Sequence, residues 1–467
     1  NNSKIMALTI EQNPLYTLNP VGQEVIFTVL DAAVVSAYYN VKYIAEVHIS
    51  DEDINLATST AIGTFKTTPN NAGAGIFDFR PILESFVSPD NLAAIGSAYK
   101  SEPTTAITSH PLHLIDEYSL NDNVVRYLKI KFKVEGSVDA TSEILVIDTE
   151  DSSQYTLING YLKYTDVQDR DATGNFGYDT GVFQLDAAAA GRFLTNAPLI
   201  QYANIEDYGT LSFMATPVTG SVSTSTVDYF KFSLYDGNTL LLTEDIDNTD
   251  ANGGNTTWTS DTKNQLIHLG CFPANRLNTT TWSVLYNAAE YYTIQAFTSV
   301  NLAMSEVMTI YINCPTLKGY EPIRLTWLNQ WGVWDYYTFT MKSTKSISTK
   351  GSTYQQLEGT WNESIYQPNG YRGGTKAFRV NATEKITMNT DFVNESESEW
   401  FEELINSPEV YILEGTQTDP TNPLLNNYVT PARLTTSNYT KKTVANDKLI
   451  QYTFEVEKSK TLRTQSV

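Results

Sequence analysis

Apolar and polar residues alternate most regularly between positions 322 and 340, in the stretch PIRLTWLNQWGVWDYYTFT. Large apolar side chains occur at every second position from Ile323 to Trp327, and a second alternating run begins at Trp334. A period of two predicts β-strands. Asn329 to Gly332 lie between the runs and predict a turn, because asparagine favours turns and glycine adopts a positive φ at little steric cost. The pattern therefore predicts a hairpin.

The predicted hairpin is rich in large aromatic side chains. Each of them can bury on the order of 150 to 250 Å², so the rings must either hold two sheets together or face a partner. We predict that they fill a core or form contacts between modules or between copies of the chain, and stacking on a glycan is the alternative. The five residues of this candidate binding site are Trp327, Trp331, Trp334, Tyr336 and Tyr337.

Short alternating segments, separated by Asn, Pro and Gly, recur along the rest of the chain. In the segment VRYLKIKFKV, Leu128, Ile130 and Phe132 should face a core, and the intervening lysines should face water. Segments such as YFKFSL and QLIHL repeat this plan after residue 207. Short strands at regular spacing are typical of fibronectin-like sandwiches. We therefore predict a mainly β protein of tandem antiparallel β-sandwich (fibronectin/Ig-like) domains with a few short helices.

The length of 467 residues exceeds what one hydrophobic core normally holds, so several domains are expected. One helix is predicted near residues 396–406, because Ser396 and Glu399 have the spacing of a capping box and Pro408 ends the segment. The predicted segments are an N-terminal β-sandwich at 1–150, a connector or small β unit at 151–206, a second β-sandwich at 207–320 and a C-terminal β-rich domain at 321–467.

The charge of the chain narrows its range of partners. A formal net charge of −22 disfavours direct nucleic-acid binding, which depends on lysine and arginine at the phosphates. We interpret the acidic excess as a means of keeping identical copies from associating through strand edges, so added salt should change association.

Neither a signal-peptide pattern nor a run of ~18 apolar residues is found, so we expect neither secretion nor membrane insertion.

One segment has part of a calcium-loop pattern. Asp169, Asp171 and Thr173 occupy its first, third and fifth positions before Gly174. Thr180 stands at the twelfth position, where such loops carry a bidentate glutamate, so an ordinary Asp/Gly turn is the competing interpretation. Ca²⁺ is the one cation that this pattern indicates, and no other cofactor is expected.

The remaining metal-type ligands are sparse. His110 and His113 lie close in sequence to Asp116 and Glu117, but Pro111 disfavours a regular helix, and no third ligand is fixed by spacing. We predict no metal at this segment.

Cys271 and Cys314 are the two cysteines of the chain. They are too few for a disulfide framework, and neither lies in a C-x-x-C motif or has a suitably spaced histidine for zinc. They either pair across a sandwich or stay as buried thiols, and we favour the thiols because cysteine is commonly buried as a small apolar group.

Catalytic motifs are missing from the sequence. It has no G-x-S-x-G elbow, phosphate loop, H-E-x-x-H pair or dinucleotide fingerprint, and it has 4 histidines. A glycosidase needs only two carboxylates, and 53 acidic residues offer too many pairs to choose among. We therefore predict a protein without enzymatic activity.

Several motifs carry a resemblance to a known group of proteins. They are W-L-N-x-x-G-x-x-D-Y-Y-T-F from Trp327, L-E-G-T-W-N from Leu357, W-F-E-E-L-I-N-S-P-E-V-Y-I from Trp400, Q-Y-T-F-E-V-E from Gln451 and G-R-F-L-T-N-A-P from Gly191. With them the chain resembles virion structural proteins of tailed phages that infect Bacteroidetes, crAss-like phages included. The resemblance covers the last third of the chain strongly and the middle weakly.

The resemblance implies a multi-copy, non-enzymatic component of a phage tail, neck or baseplate. Such a protein is made in the host cytoplasm and resides in the virion, and its partners are other copies of itself and other virion proteins. Host glycan is the alternative partner. A carbohydrate-binding receptor or adhesin module and a glycan-degrading tail enzyme therefore stay open as alternative functions.

Overall fold

The structure of the chain is a computed structural model, in which strands dominate and helices are few. Contacts group the described residues into two compact units. The first takes in the residues up to Ile312 and the hairpin turn Leu328–Asp335, and the second takes in Asn313–Trp327 and the residues from Tyr336 onward. The described residues are 7–87, 111–113, 118–121, 124–163, 166, 179–185, 191–215, 227–247, 264–276, 282, 288–313, 319–362, 364–414, 428–436, 438–440, 450–460 and 462–463.

The strands of the first unit are short and follow one another closely along the chain. In chain order they are β1 (Thr9–Gln12), β2 (Leu18–Pro20), β3 (Ile26–Leu30), β4 (Tyr39–Ser50), β5 (Gly63–Thr67), β6 (Ala74–Asp78), β7 (Tyr118–Asn121), β8 (Arg126–Ser137), β9 (Leu145–Asp151), β10 (Tyr155–Ile158), β11 (Ile200–Asn204), β12 (Thr210–Ala215), β13 (Tyr229–Asp236), β14 (Thr239–Asp247), β15 (Gln265–Gly270), β16 (Tyr291–Phe297) and β17 (Met308–Asn313). Three short α-helices accompany them, namely α1 (Ala32–Ala37), α2 (Arg80–Leu83) and α3 (Pro273–Arg276).

Two sheets form the first sandwich. One has the order β1-β3-β6, and the other has the order β2-β10-β8-β4-β5 with β9 also paired to β8. Their inner faces meet at Phe27 and Phe132, whose ring centroids lie 5.7 Å apart. Leu128, Ile130 and Phe132 of β8 are buried and the lysines between them are partly exposed, as the alternation predicted.

Two further sheets form the second sandwich, with the orders β12-β15-β7 and β11-β17-β16-β13-β14. Phe213 of β12 packs against Phe230 of β13, with ring centroids 4.8 Å apart. The predicted fold class, a mainly β chain of tandem antiparallel sandwiches with a few short helices, is confirmed.

The two sandwiches exchange chain segments, so boundaries at residues 150 and 207 do not separate them. β7 comes from the predicted N-terminal domain, yet it pairs with β15 of the second sandwich, with Leu120 opposite Ile267. β10 comes from the predicted connector, yet it pairs with β8 and β2 of the first sandwich. Pairing between strands far apart in sequence leaves no local pattern, so the sequence could not reveal it.

The described residues of the second unit form a large sheet, a separate pair of strands and one helix. The sheet has the order β19-β18-β24-β25-β26-β23-β20, β27 also pairs with β23, and β21 and β22 form a separate pair. These elements are β18 (Ile323–Leu328), β19 (Trp334–Phe339), β20 (Thr344–Gln356), β21 (Gly359–Asn362), β22 (Ile365–Pro368), β23 (Gly374–Asn389), α4 (Glu395–Asn406), β24 (Val410–Leu413), β25 (Val429–Leu434), β26 (Thr453–Lys458) and β27 (Leu462–Arg463). No helix among the residues described in either unit is long and apolar enough to cross a membrane.

The capping box of α4 lies two residues before the predicted one. The Asn394 side chain accepts a hydrogen bond from the Glu397 backbone N–H at 2.8 Å, and the Glu397 carboxylate accepts one from the Asn394 N–H at 2.8 Å. Asn394 and Glu397 have the same three-residue spacing as the predicted pair, Ser396 and Glu399. Asn394 is the N-cap because its backbone is extended, as an N-cap residue requires.

Replacing Asn394 with alanine should lower the free energy of unfolding by about 1 kcal/mol, because the substitution leaves an N-terminal N–H without its partner. Chemical denaturation measures this change. Asn71→Ala is the control, since Asn71 is exposed in a turn of the first unit. Equal effects of the two substitutions would contradict the assignment of the cap.

Candidate functional site

The strands of the predicted aromatic hairpin are buried in the second unit. Trp327 of β18 is 0% exposed, and its ring centroid lies 5.0 Å from that of Trp400 in α4. The polar residues of the hairpin are covered as well: Arg324 donates a hydrogen bond to Thr338 at 2.8 Å, and its guanidinium lies over the Tyr336 ring at 5.2 Å. Neither face of these two strands is therefore exposed to solvent.

Tyr337 shares this environment. Its ring centroid lies 4.8 Å from that of Phe401 in α4, in an edge-to-face arrangement. Burial raises the pKa of Tyr337, and the charges of Glu397 and Asp391 act in the same direction. The phenol of Tyr337 thus stays protonated at neutral pH and acts as a packing group.

The turn of the hairpin belongs to the core of the first unit. The Trp331 ring lies 4.3 Å from that of Phe183, centroid to centroid. The Asn329 side chain accepts hydrogen bonds from the Trp331 and Val333 N–H groups at 2.9 and 3.2 Å and donates one to the Leu194 carbonyl at 2.9 Å. The turn is therefore fixed by a side chain at its first position, as the Asn-to-Gly pattern predicted.

The five predicted aromatics fill a core, which is one of the roles expected of them, and they form no external binding surface. Four of them, Trp327, Trp331, Trp334 and Tyr336, are at most 4% exposed, and Tyr337 is partly buried. A ring must expose one face in order to stack on a glycan or on a second copy. These rings instead stabilise the unit to which each belongs.

The calcium-loop candidates Asp169, Asp171 and Thr173 lie outside the described residues. Thr180, at the twelfth position of that pattern, begins a 3-10 helix (Thr180–Phe183), and its buried hydroxyl donates a hydrogen bond to the Leu18 carbonyl at 2.6 Å. Within the part of the chain that the structure describes, no three His, Cys, Asp or Glu residues are grouped to hold a metal ion. The Ca²⁺ site stays a prediction.

Cys271 is buried directly after β15. Cys314 lies outside the described residues, so the state of the two cysteines stays a prediction. His110, Asp116 and Glu117 also lie outside them.

An exposed arm extends from the large sheet of the second unit, at residues 350–381. Its ribbon pairs Lys350–Gln356 of β20 with Gly374–Asn381 of β23, and its tip contains β21 and β22. β26 pairs with β23 from Lys385 onward, and β27 reaches β23 only at Asn381 and Ala382. Beyond that point the described ribbon consists of two strands.

Apolar side chains are exposed along the arm and at its tip. Trp361 is 68% exposed and Tyr371 is 75% exposed. The residues of β20 are exposed on both faces of the ribbon except for the partly buried Tyr354 and Gln356. The exposed large apolar residues of the arm are Leu357, Trp361, Ile365, Tyr366, Tyr371 and Phe378.

One face of the ribbon is basic. Side chains alternate between faces along a strand, so Lys350, Ser352 and Tyr354 share one face. Arg379 lies opposite Ser352, and Lys376 lies opposite Tyr354, so both basic residues are on the same face. Phe378 is the extra residue of a β-bulge and contacts the Tyr354 ring, with centroids 6.4 Å apart. We call this surface, formed by Lys350, Tyr354, Lys376, Phe378 and Arg379, the basic face.

Charge is the sequence signal that could have identified the arm. The segment Thr344–Asn389 contains six basic and three acidic residues, a net charge of +3 in a chain whose net charge is −22. The remaining residues of the chain therefore carry a net charge of −25. The run TKSISTKGSTYQQ also lacks a buried alternation, which is unusual for a strand of 13 residues.

Comparison with known proteins does not assign the chain to a family. No family model matches it, and no curated protein matches it. Among solved structures, it is similar to native E. coli alpha-2-macroglobulin with a TM-score of 0.17 and 8% identity. That match covers 82% of this chain and 22% of the alpha-2-macroglobulin chain, so this chain spans about a fifth of that protein. A likeness with so low a TM-score supports no inference about function.

Proposed function

We propose that this protein is a non-enzymatic structural subunit that assembles in several copies, as a tail, neck or baseplate component of a tailed phage. The exposed arm is the observation that carries the proposal. The resemblance of the C-terminal motifs to virion proteins supports the location in the virion.

The arm has the properties of a contact element that lacks its partner. A two-stranded hairpin is marginally stable in water unless a further strand or a packed face supports it. The ribbon nevertheless extends over seven residue pairs with both faces exposed, and the tip exposes tryptophan and tyrosine. Tryptophan, tyrosine and arginine are the residues that most often anchor protein interfaces. A neighbouring subunit that covers the arm would supply the missing packing.

Replacing the tip anchors tests the proposal. In the variant L357S/W361S/Y371S, the midpoint concentration of self-association should rise at least about thirtyfold, because removing one interface anchor costs about 2 kcal/mol. Sedimentation velocity and mass photometry of the full chain measure the change, and electron microscopy shows whether the associated form is a ring.

The matched control is V138S/L145S/V146S, which removes three similarly exposed apolar side chains from the first unit. This control should leave self-association unchanged. A chain that is monomeric at all accessible concentrations and is absent from purified phage particles would contradict the proposal, and so would hydrolysis of a host polysaccharide.

A further inference from the structure

Four tyrosines form a row across the larger sheet of the second sandwich. Tyr202, Tyr311, Tyr291 and Tyr235 lie on the adjacent strands β11, β17, β16 and β13. Successive ring centroids along this order are 5.5, 5.0 and 5.1 Å apart. Tyr202 is 57% exposed, and the other three are partly exposed. We call these residues the tyrosine row; with ~4.8 Å between strands, it is about 14 Å long.

The sheet that carries the tyrosine row is strongly acidic. Residues 227–247 and 288–313 contain seven acidic side chains and one basic side chain, Lys231. One of the seven, Glu244, lies on the other face, where it pairs with Arg276 at 2.6 Å. Asp245 and Asp247 lie opposite Lys231 and Tyr229, on the same face as Tyr235. Partial burial, together with the charge of Asp247, raises the pKa of Asp228 and that of Asp245, and Lys231 offsets part of the effect at Asp245. Negative charge is therefore concentrated at this end of the face.

We propose that the basic face of the arm of one copy docks on this tyrosine-lined, acidic sheet face of a second copy. The inference rests on the proposed function, because it names the surface that receives the arm when copies assemble. A second copy is the occupant because the charges are complementary: the segment Thr344–Asn389 carries a net charge of +3, and the segments that form the sheet carry a net charge of −6.

The spacing of groups on the two surfaces supports this pairing. On the sheet, Tyr235 and Lys231 are four residues apart on one strand, and Asp245 lies opposite Lys231. On the ribbon, Tyr354 and Lys350 are also four residues apart. Each interval spans about 13 Å along a strand. A ribbon whose Tyr354 end lies on the tyrosine row therefore brings Lys350 close to the carboxylates.

A cation–π contact of the kind that the docking requires already occurs within the chain. The Lys231 ammonium lies over the Phe297 ring at 4.8 Å and over the Tyr229 ring at 5.4 Å, on the face proposed to receive the arm. Basic side chains of the ribbon can make the same cation–π contacts with exposed tyrosine rings. Tyrosine binds well at interfaces because it presents a large rigid surface and a polar hydroxyl.

The proposed contact joins two different surfaces of the chain, so it is head-to-tail. Such contacts build closed rings when the rotation between copies closes, and filaments when it does not.

The direction of salt dependence separates this docking from the general repulsion between acidic copies. Salt weakens a basic-to-acidic contact and strengthens association that is limited by repulsion.

Charge reversal with rescue tests the docking in the full-length chain. K350E/R379E reverses the basic face of the ribbon, and D245K/D247K reverses the sheet face. In each variant alone, the midpoint concentration of self-association should rise at least about tenfold, because like charges in an interface repel. An equimolar mixture of the two variants should regain it, since every ribbon then meets a face of opposite charge. E84K/E143K is the control: it makes the same net change as D245K/D247K, at two exposed carboxylates of the first sandwich.

The outcomes separate this inference from the proposed function. Rescue by mixing, with association of the control unchanged, supports the docking, and a variant that fails to fold cannot be rescued by mixing. Association of the wild type that neither reversal weakens overturns the docking and leaves the multi-copy subunit standing. Equal loss in the control also overturns the docking. A wild-type chain that stays monomeric, or that binds a polysaccharide through the tyrosine row instead, contradicts the docking and the proposed function together.

Discussion

Replacing Gly332 with alanine should destabilise the first unit by about 2 to 5 kcal/mol. Gly332 adopts a φ of +74°, and a Cβ added there would lie 1.5 Å from the carbonyl oxygen of Asn159. An L-residue in the left-handed region costs about 1–2 kcal/mol, and inserting a group into a filled core typically costs a further ~1–3 kcal/mol. The turn cannot move away freely, because Trp331 and Val333 on either side of Gly332 are buried in the same core. Chemical denaturation followed by circular dichroism measures the loss.

Gly237 supplies the matched control for this substitution. It also has a positive φ, +54°, but no atom lies within 4 Å of an added Cβ. Gly237→Ala should therefore cost only the backbone term, about 1–2 kcal/mol. Equal losses for the two variants would contradict the close approach of the hairpin turn to Asn159.

Replacing Phe401 with alanine should destabilise the second unit by about 3 to 5 kcal/mol, the usual cost of removing a buried phenylalanine side chain. Phe401 is 0% exposed in α4. Its ring packs against those of Tyr337, Phe339 and Phe454, at centroid distances of 4.8, 6.3 and 5.4 Å. These contacts hold the helix on the sheet.

The unfolding transition reported by tryptophan fluorescence measures this effect, since Trp327 and Trp400 lie beside Phe401. Phe392→Ala is the control, because Phe392 is 55% exposed in the same unit. Comparable losses for the two variants would contradict the central position of Phe401.

The sequence predicted local structure well where one strand or turn determines the pattern. The alternation at Leu128, Ile130 and Phe132 indicated the buried side of β8 correctly. Asn329 and Gly332 predicted the turn of the hairpin, and the structure has a positive φ at Gly332. In each case the signal lies within a few neighbouring residues.

The sequence did not reveal which residues are covered by distant parts of the chain. Arg324 and Thr326 alternate with apolar residues in β18, yet both are buried, since the strand is covered on both faces. For the same reason the pattern of the aromatic hairpin does not distinguish a core from an interface. The pairing of β7 with the second sandwich and of β10 with the first likewise depends on contacts between segments remote in sequence.

The sequence does not reveal the arm because a ribbon exposed on both faces has no hydrophobic period. Its strands show no buried side, and its aromatic residues Trp361 and Tyr371 are exposed. A local excess of basic residues in an acidic chain is the sequence property that marks it, and the C-terminal residues 428–467 share this property. Net charge counted over windows of about 40 residues indicates both this segment and the C-terminal residues 428–467.

Hydrogen–deuterium exchange of residues 350–381, measured below and above the concentration at which the chain associates, is the sharpest test of the arm as an assembly element. We predict rapid exchange of these amides in the dilute monomer, because the ribbon has two strands and no packed face. In the associated form the same amides should exchange at least about tenfold more slowly, while the amides of β8 stay equally protected in both. Exchange in the arm that is unchanged by association, with new protection confined to other segments, would contradict this role of the arm.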